Sequence, residues 1–288
     1  MASSNILILL DTDEQANSFD RVVAVDAGVD QLFAYSRVTL EQVQSLVHGA
    51  IFTRAPDELR HTAMFICGSD VDLGEQVLAR VRSSFLGSLS VSVMLDANGA
   101  NTTAAAAVIA AGRHLEFDHC SALVLAGTGP VGQRAARLLA RQGASIRLAS
   151  RSDQRASASA DRINAAVKPP QEVVPCVITD EDALRRGLEG VDVVIAAGKA
   201  GVELLPASVM NEVTDLKVAI DLNAVPPLGI EAIGVTDKAR DIGAVKAYGA
   251  IGVGGTKMKI HRAAVASLFE SNDRVLDAEE IYALGGSI

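Results

Sequence analysis

Tryptophan is missing from this 288-residue chain, and aromatic residues make up only 3% of it. Any core must be filled by Ala, Val, Leu and Ile, and a hydrophobic content of 49% supplies them. Cysteine is scarce. Cys67, Cys120 and Cys176 are odd in number, lack C-x-x-C spacing and lie in or beside apolar runs. That excludes a disulfide framework and a thiolate metal site, and it predicts buried reduced thiols. Positive charge is short too. A net charge of −9 argues against nucleic acid or an anionic membrane as the main partner. No apolar run approaches the roughly 18 residues of a membrane span. The apolar run at residues 6–10 has no basic flank and is too short for a signal peptide. The expectation is a cytoplasmic protein that meets neither nucleic acid nor membrane. Several catalytic signatures are also missing: H-E-x-x-H, G-x-S-x-G and a G-K-[ST] after a glycine loop. His48, His61, His114, His119 and His261 are not spaced as metal ligands, so no metal is expected.

What is present is a strand–glycine loop–helix–strand unit at residues 121–152. An apolar run at 122–126 feeds Gly127, Thr128, Gly129, Pro130, Val131 and Gly132. A helical pattern follows, with Val131, Ala135, Leu138 and Leu139 on one face, and Gly143 ends it before a second apolar run at 145–149. In that context G-x-G-x-x-G predicts a dinucleotide site, with the pyrophosphate at the helix N-terminus. Gly127 is expected to permit the tight turn, Gly129 to admit the pyrophosphate and Gly132 to let helix and strand pack closely. An NAD site usually carries a carboxylate at the end of the second strand. Here Ser150, Arg151 and Ser152 stand there instead, a cation and two hydroxyls suited to a 2′-phosphate. The predicted cofactor is NADP, with NAD as a weaker alternative.

The length admits two domains, and strands and helices alternate throughout. Strands are expected at 5–10, 31–34, 50–53, 63–67, 91–95, 172–178, 191–196 and 216–221. Helices are expected at 73–85, 101–111, 256–271 and 277–284. Thr39 and Gln42 have capping-box spacing, as do Asp277 and Glu280. Four polar clusters mark the chain further. Asp96, Asn98, Asn101, Thr102 and Thr103 follow one strand, and read either as a ligand site or as an Asx turn with a helix cap. Asp221, Asn223, Pro226 and Pro227 read either as a rigid turn or as a stiff loop whose backbone meets a nicotinamide. Gly249, Gly252, Gly254 and Gly255 are costly in a regular element, so a loop passing close to a ligand is expected, with Thr256 and Lys257 opening the next helix. Lys257 is the candidate active-site cation, whereas Lys259, His261 and Arg262 are expected to face solvent or form a salt bridge. Asp20, with Asp11 and Asp13, is either a substrate contact or a carboxylate complementing a helix dipole.

Together these segments resemble one family. They are Ser18-Phe19-Asp20 with Asp26-Ala27-Gly28, residues 50–54, Met94-Leu95-Asp96-Ala97-Asn98-Gly99-Ala100-Asn101-Thr102-Thr103, residues 124–132, 203–206 and 226–230, Gly254-Gly255-Thr256-Lys257-Met258-Lys259-Ile260-His261-Arg262, residues 268–271 and residues 277–282. The chain is similar, over nearly its whole length, to the NADP-dependent methylene-tetrahydromethanopterin and methylene-tetrahydrofolate dehydrogenases of C1-metabolising bacteria. The resemblance implies two α/β domains separated by a cleft, the second a Rossmann-type doubly wound parallel sheet. It implies a pterin-binding domain at 1–115 and an NADP-binding domain at 116–288, with residues from about 256 returning to the first. The implied reaction is hydride transfer from the methylene carbon to NADP, giving the methenyl form. Lys257 would be catalytic, and Asp20, Asp96, Asn98 and Thr102 would contact the pterin. The cofactor would meet residues 127–132, Ser150, Arg151, Ser152, Ala197, Gly198, Asn223 and Gly255. A homo-oligomer, as a trimer, is also implied. Another dehydrogenase of similar layout and a non-catalytic NADP sensor are the competing readings.

Overall fold

The structure is a computed structural model that describes residues 3–288. The chain begins β1 (Ile6–Asp11), α1 (Ser18–Asp26), β2 (Gln31–Tyr35), α2 (Leu40–Ile51), β3 (Thr62–Cys67), α3 (Val71–Ser83), β4 (Ser92–Leu95) and α4 (Ala100–Gly112). It continues through β5 (Ser121–Leu125), α5 (Pro130–Arg141), β6 (Ser145–Ser150), α6 (Asp153–Val167), β7 (Val174–Val177), α7 (Glu181–Leu188) and β8 (Val193–Ala196). Then come α8 (Ala207–Met210), β9 (Val218–Asp221), β10 (Lys238–Ile242), β11 (Val245–Tyr248), α9 (Ala250–Ser267), β12 (Val275–Leu276) and α10 (Ala278–Gly285). Two compact units result, Met1–Thr102 with Met258–Ile288, and Thr103–Lys257. The chain passes between them inside α4 and inside α9, so the first division falls within a helix rather than after residue 115.

The first unit is built on a five-stranded parallel sheet in the order β12-β4-β3-β1-β2. Every residue of β3 and of β4 is buried, the continuous apolar pattern of strands covered on both faces. The order reverses between β1 and β3, so their carboxyl ends open a crevice. Polar caps fix the helix starts around it. Asn17 accepts from the Phe19 amide at 2.7 Å, and Asp70 accepts from the Leu73 amide at 2.9 Å. The capping boxes at Thr39–Gln42 and Asp277–Glu280 are both formed.

The second unit holds a seven-stranded sheet in the order β10-β11-β9-β8-β5-β6-β7, parallel except for the β10–β11 hairpin at one edge. The order reverses between β5 and β8, the switch point of a doubly wound sheet. Leu123, Leu125, Val194, Ala196, Leu205, Ile230 and Ile233 belong to its aliphatic core.

Two expectations fail. Residues 50–53 are not a strand, because α2 runs on to Ile51: Val43, Val47, Ala50 and Ile51 are all buried and continue one helical face. The glycines at 249–255 do not form a loop either, because α9 starts at Ala250 and carries Gly252, Gly254 and Gly255 within it. A Cβ at Gly249 would come to 2.1 Å from the Gly234 carbonyl oxygen, and one at Gly252 to 1.7 Å from that of Asp237. Close packing of the helix start on residues 234–237 therefore requires those two glycines. Gly254 and Gly255 would meet nothing within 4 Å.

Candidate active site

In the second unit the glycine loop lies between the carboxyl ends of β6 and β8. The Gly127 amide donates to the Ala149 carbonyl at 2.9 Å, and the Ala197 amide donates to the Leu125 carbonyl at 3.1 Å. The left-handed turn residue is Ala126, at φ 52°, and not Gly127. An alanine there costs of order 1 kcal/mol of backbone strain. Gly127 answers to packing instead: a Cβ would sit 2.5 Å from Leu148 Cδ1 and 2.8 Å from the Val124 carbonyl oxygen. A Cβ on Gly132 would reach 2.7 Å from Gly127 Cα, so α5 and the loop can approach only as glycines. Gly129 differs from both. Its nearest protein atom to an added Cβ is the Ala126 carbonyl oxygen at 3.5 Å, an ordinary contact.

Gly129 caps α5 and Pro130 fills its first position, where an absent N–H costs nothing. The amides of Val131 and Gly132 belong to the helix's unpaired first turn. The Gln133 side chain closes the loop by donating to the Thr128 carbonyl at 2.8 Å. Beside the loop, at the end of β6, Ser150 Oγ accepts from the Ser152 amide at 3.2 Å, and Ser152 caps α6. Arg151 is exposed there.

On the β8–β9 side, Gly198 packs against Leu204, with an added Cβ 2.7 Å from Leu204 Cδ1. Asp221 is 1% exposed and accepts from the amides of Asn223 and Ile230, both at 3.0 Å. Burial pushes its carboxyl up, against the pull of the Ile230, Asn223 and Gly229 amides. Asn223 is buried and serves its own loop: Nδ2 donates to the Pro227 carbonyl at 3.0 Å, and Oδ1 accepts from the Val225 amide at 2.9 Å. Its side chain thus shapes the loop. Gly255 is exposed on α9, and Lys257 is part-buried two residues later.

In the first unit the loops after β1, β3 and β4 are knitted together. Asn98 stands left-handed at φ 54°, is exposed, and its amide donates to the Gly68 carbonyl at 2.6 Å. Gly68 in turn fits over Thr12, where a Cβ would overlap Thr12 Oγ1 at 2.1 Å. Asp96 and Thr102 are buried and bonded to each other and to the start of α4. Asn101 Nδ2 donates to the Leu95 carbonyl at 2.6 Å and to Asp277 Oδ1 at 2.9 Å. This cluster thus caps a helix, one of its two expected readings, and Asn98 is its outward-facing member.

Asp20 is 5% exposed in the first turn of α1, and Asn17 Nδ2 donates to its Oδ2 at 3.2 Å. Asp11, fully buried at the end of β1, accepts from the Asp13 and Asn17 amides at 2.9 and 2.8 Å. His261 is fully buried and stands 3.9 Å from Asp20. It does not face solvent. Its four-residue spacing from Lys257 was the signal that it shares that lysine's helix face. Asp11 stood in the polar cluster after the first strand, whereas Asn17 gave no signal.

The three cysteines are free, with Cys67 and Cys120 buried and Cys176 part-buried. Burial pushes the Cys67 and Cys176 thiols up and that of Cys120 up to about 11. They are protonated and unreactive at neutral pH. Among the described residues no three His, Cys, Asp or Glu gather as a metal site, and no helix is long and apolar enough to cross a membrane.

A G-x-G-x-x-G loop at the switch point of a doubly wound sheet defines a dinucleotide-binding α/β protein. Comparison with known proteins narrows the class. Residues 18–98 match the family described as methylene-tetrahydromethanopterin dehydrogenase, N-terminal. The chain is 43% identical over 286 residues to the bifunctional protein MdtA of Methylorubrum extorquens, covering 98% of each chain. It is 30% identical over 298 residues to the NAD(P)-dependent methylenetetrahydromethanopterin dehydrogenase of the same organism, covering 99% of this chain and 98% of that one. In fold it is similar to shikimate 5-dehydrogenase from Listeria monocytogenes, at a TM-score of 0.54 and 12% identity, over 98% of this chain and 96% of that one. The chain belongs to the methylene-tetrahydromethanopterin dehydrogenase family.

Proposed function

We propose that the protein oxidises methylene-tetrahydromethanopterin to the methenyl form by hydride transfer to NADP, as a step in one-carbon oxidation. The full-length likeness to family members, 98% of both chains at 43% identity, carries this reading. The second unit supports the cofactor half. Packing dictates Gly127 and Gly132 but leaves Gly129 open, as a backbone approached by a pyrophosphate requires. Residues 127–132 would hold the pyrophosphate, and Ala197, Gly198, Asn223 and Gly255 would complete the nucleotide site. Ser150, Arg151 and Ser152 would take the 2′-phosphate, which favours NADP over NAD. The nicotinamide, when bound, supplies the hydride acceptor.

The reaction asks little acid–base work of the protein. The two nitrogens flanking the methylene carbon share the positive charge of the product, so neither a metal nor a strong general base is required. Positioning supplies most of the rate. Asp20, Asn98 and Lys257 are the proposed pterin contacts, with Asp96 and Thr102 holding the segment that presents Asn98. A cationic Lys257 beside a developing cation would be unfavourable, so its role is to hold a pterin oxygen away from the reacting carbon. Replacing Lys257 with Ala should lower kcat/KM for the pterin by about 10-fold or more, the cost of losing a charge-assisted hydrogen bond. A cytoplasmic homo-oligomer, a trimer, belongs to the same reading and rests on the family resemblance.

The test is a spectrophotometric assay with methylene-tetrahydromethanopterin or methylene-tetrahydrofolate, and NADP or NAD, following reduced nicotinamide and methenyl pterin. Rapid turnover of the methanopterin substrate with NADP is expected. NADP binding without turnover of either pterin would overturn the reading in favour of another substrate or a sensor.

A further inference from the structure

Asp221 closes a loop from the inside. It stands at the carboxyl end of β9, in register with Ala196 at the end of β8, and is buried. Its Oδ1 accepts the Asn223 amide and its Oδ2 the Ile230 amide, both at 3.0 Å, and the Gly229 amide bonds to it as well. Donors from both ends of residues 222–230 thus converge on one side chain, and a carboxylate meets them with acceptors alone. Gly229 has to be glycine for this, since an added Cβ would lie 2.6 Å from Asp221 Oδ1. The clamp reaches the neighbouring loop too. The Gly229 carbonyl accepts the amides of Leu204 and Leu205 at 2.9 and 3.0 Å, and the Val225 carbonyl accepts that of Gly201 at 3.2 Å. Leu204 in turn packs on Gly198. The loops after β8 and β9 are therefore one body, tied at its base to Asp221. Between the clamped ends, Ala224, Val225, Pro226 and Pro227 are exposed.

We propose that Asp221 is a positioning residue for the nicotinamide end of the cofactor: it touches no substrate, and it sets the paired loops that carry Gly198 and Asn223. The inference rests on the assignment of those two residues to the nucleotide. Ligands of open α/β sheets sit outside the carboxyl ends of the strands, where both loops stand. Without the carboxylate, the amides of Asn223, Gly229 and Ile230 lose their common acceptor, and each end of the loop is free to shift toward another. The glycine loop at residues 127–132 has its own hydrogen bonds and keeps its place, so the phosphate half of the site is spared. A displacement of about 1 Å at a group that orients the reactants can cost on the order of 100-fold in rate.

The experiment compares the wild-type protein, Asp221→Asn and Asp221→Ala with two ligands, NADP and 2′-phospho-ADP-ribose, which is NADP without its nicotinamide. Calorimetric titration reads the affinities, and a single turnover of methylene-tetrahydromethanopterin at saturating NADP reads the hydride step. For Asp221→Ala the NADP Kd should rise by about 5- to 10-fold, as for a lost hydrogen bond, while that of the fragment stays within about 2-fold. The single-turnover rate should fall by about 10- to 100-fold. Asp221→Asn has the same shape and keeps one acceptor, so it should lie between the wild-type and Ala proteins on both readouts. Equal changes in Kd for the two ligands would overturn the proposal. So would an Ala variant with a lowered Tm but wild-type affinities and single-turnover rate. Should Asp221→Ala fail to fold, Asp221→Asn decides by the same comparisons, and wild-type values in both would overturn the proposal. Failure of the wild-type protein to turn over the pterin would instead strike the functional reading, and the comparison of NADP with its fragment would still test Asp221.

Discussion

Thr102 Oγ1 donates to Asp96 Oδ2 at 2.6 Å, while Asp96 Oδ1 accepts the amides of Asn101 and Thr102 at 2.9 and 3.0 Å. One buried carboxylate thus satisfies three donors at the start of α4. Asp96→Ala would strand all three. A cost of roughly 2–3 kcal/mol is expected from lost bonds to a charged acceptor. For a unit of this size that corresponds to a fall in Tm of about 5–10 °C. Thermal unfolding of the purified variant checks it. An unchanged Tm with a raised pterin KM would show that Asp96 serves the substrate rather than the helix.

Gly129 and Gly132 stand three residues apart and predict opposite outcomes. An alanine at Gly132 overlaps Gly127 Cα at 2.7 Å, so the variant should lose both stability and NADP binding. An alanine at Gly129 meets only an ordinary 3.5 Å contact, so it should fold with a Tm close to wild type. Its methyl group would nevertheless occupy the pyrophosphate's approach, and the NADP Kd should rise by about 10-fold or more. Calorimetric titration with NADP beside a thermal melt separates the two variants. A Gly129→Ala protein that binds NADP normally would remove the phosphate from this loop.

The architecture was legible in the sequence wherever pattern and spacing are local. The buried strands β1, β3, β5, β8 and β9 read as apolar runs, and both capping boxes read from their spacing alone. Residues 50–53 misled because Ala50 and Ile51 are the buried ends of a helical stripe, and a four-residue apolar run has no period of its own. The glycines at 249–255 misled for a different reason. Intrinsic propensity opposes a helix there, and tertiary packing of Gly249 and Gly252 on residues 234–237 overrides it. The polar edge hairpin β10–β11 and the two-residue β12 carry too little apolar signal to be seen. The ambiguity at Asp96 could not be resolved from residue types, since a cap and a ligand site use the same side chains. Geometry alone shows its oxygens already taken by the helix. The burial of His261 was hidden for a different reason, because it is set by Asp20, Phe19 and Phe65, all distant in the chain.

Arg151 is exposed at the end of β6 with no carboxylate in the place where an NAD site carries one. Arg151→Ala should raise the KM for NADP by about 10- to 100-fold, the range expected on losing a charge-assisted contact to a phosphate. The KM for NAD should move by less than about 2-fold, since that nucleotide offers no group to the guanidinium. Steady-state kinetics with both nucleotides measures the ratio. Equal changes for the two would place the 2′-phosphate elsewhere.

His114 Nε2 lies 2.7 Å from the Tyr248 hydroxyl, with ring centroids 5.7 Å apart. Desolvation chiefly, with help from the nearby Lys246 and Arg113 cations, holds its pKa below the ordinary 6.5, while Asp241 opposes them weakly. The sign follows directly. The unfolded chain takes up the proton first as pH falls, so stability is full above about 6.5 and declines below it until the folded group also titrates. His114→Gln keeps an amide able to meet the Tyr248 hydroxyl and removes the titration. The wild-type Tm should therefore drop more steeply than the variant's between about pH 6.5 and 5, above the range where most carboxylates protonate. Parallel melts across pH 8 to 5 decide the matter. Identical slopes for the two proteins would mean that His114 is as readily protonated folded as unfolded.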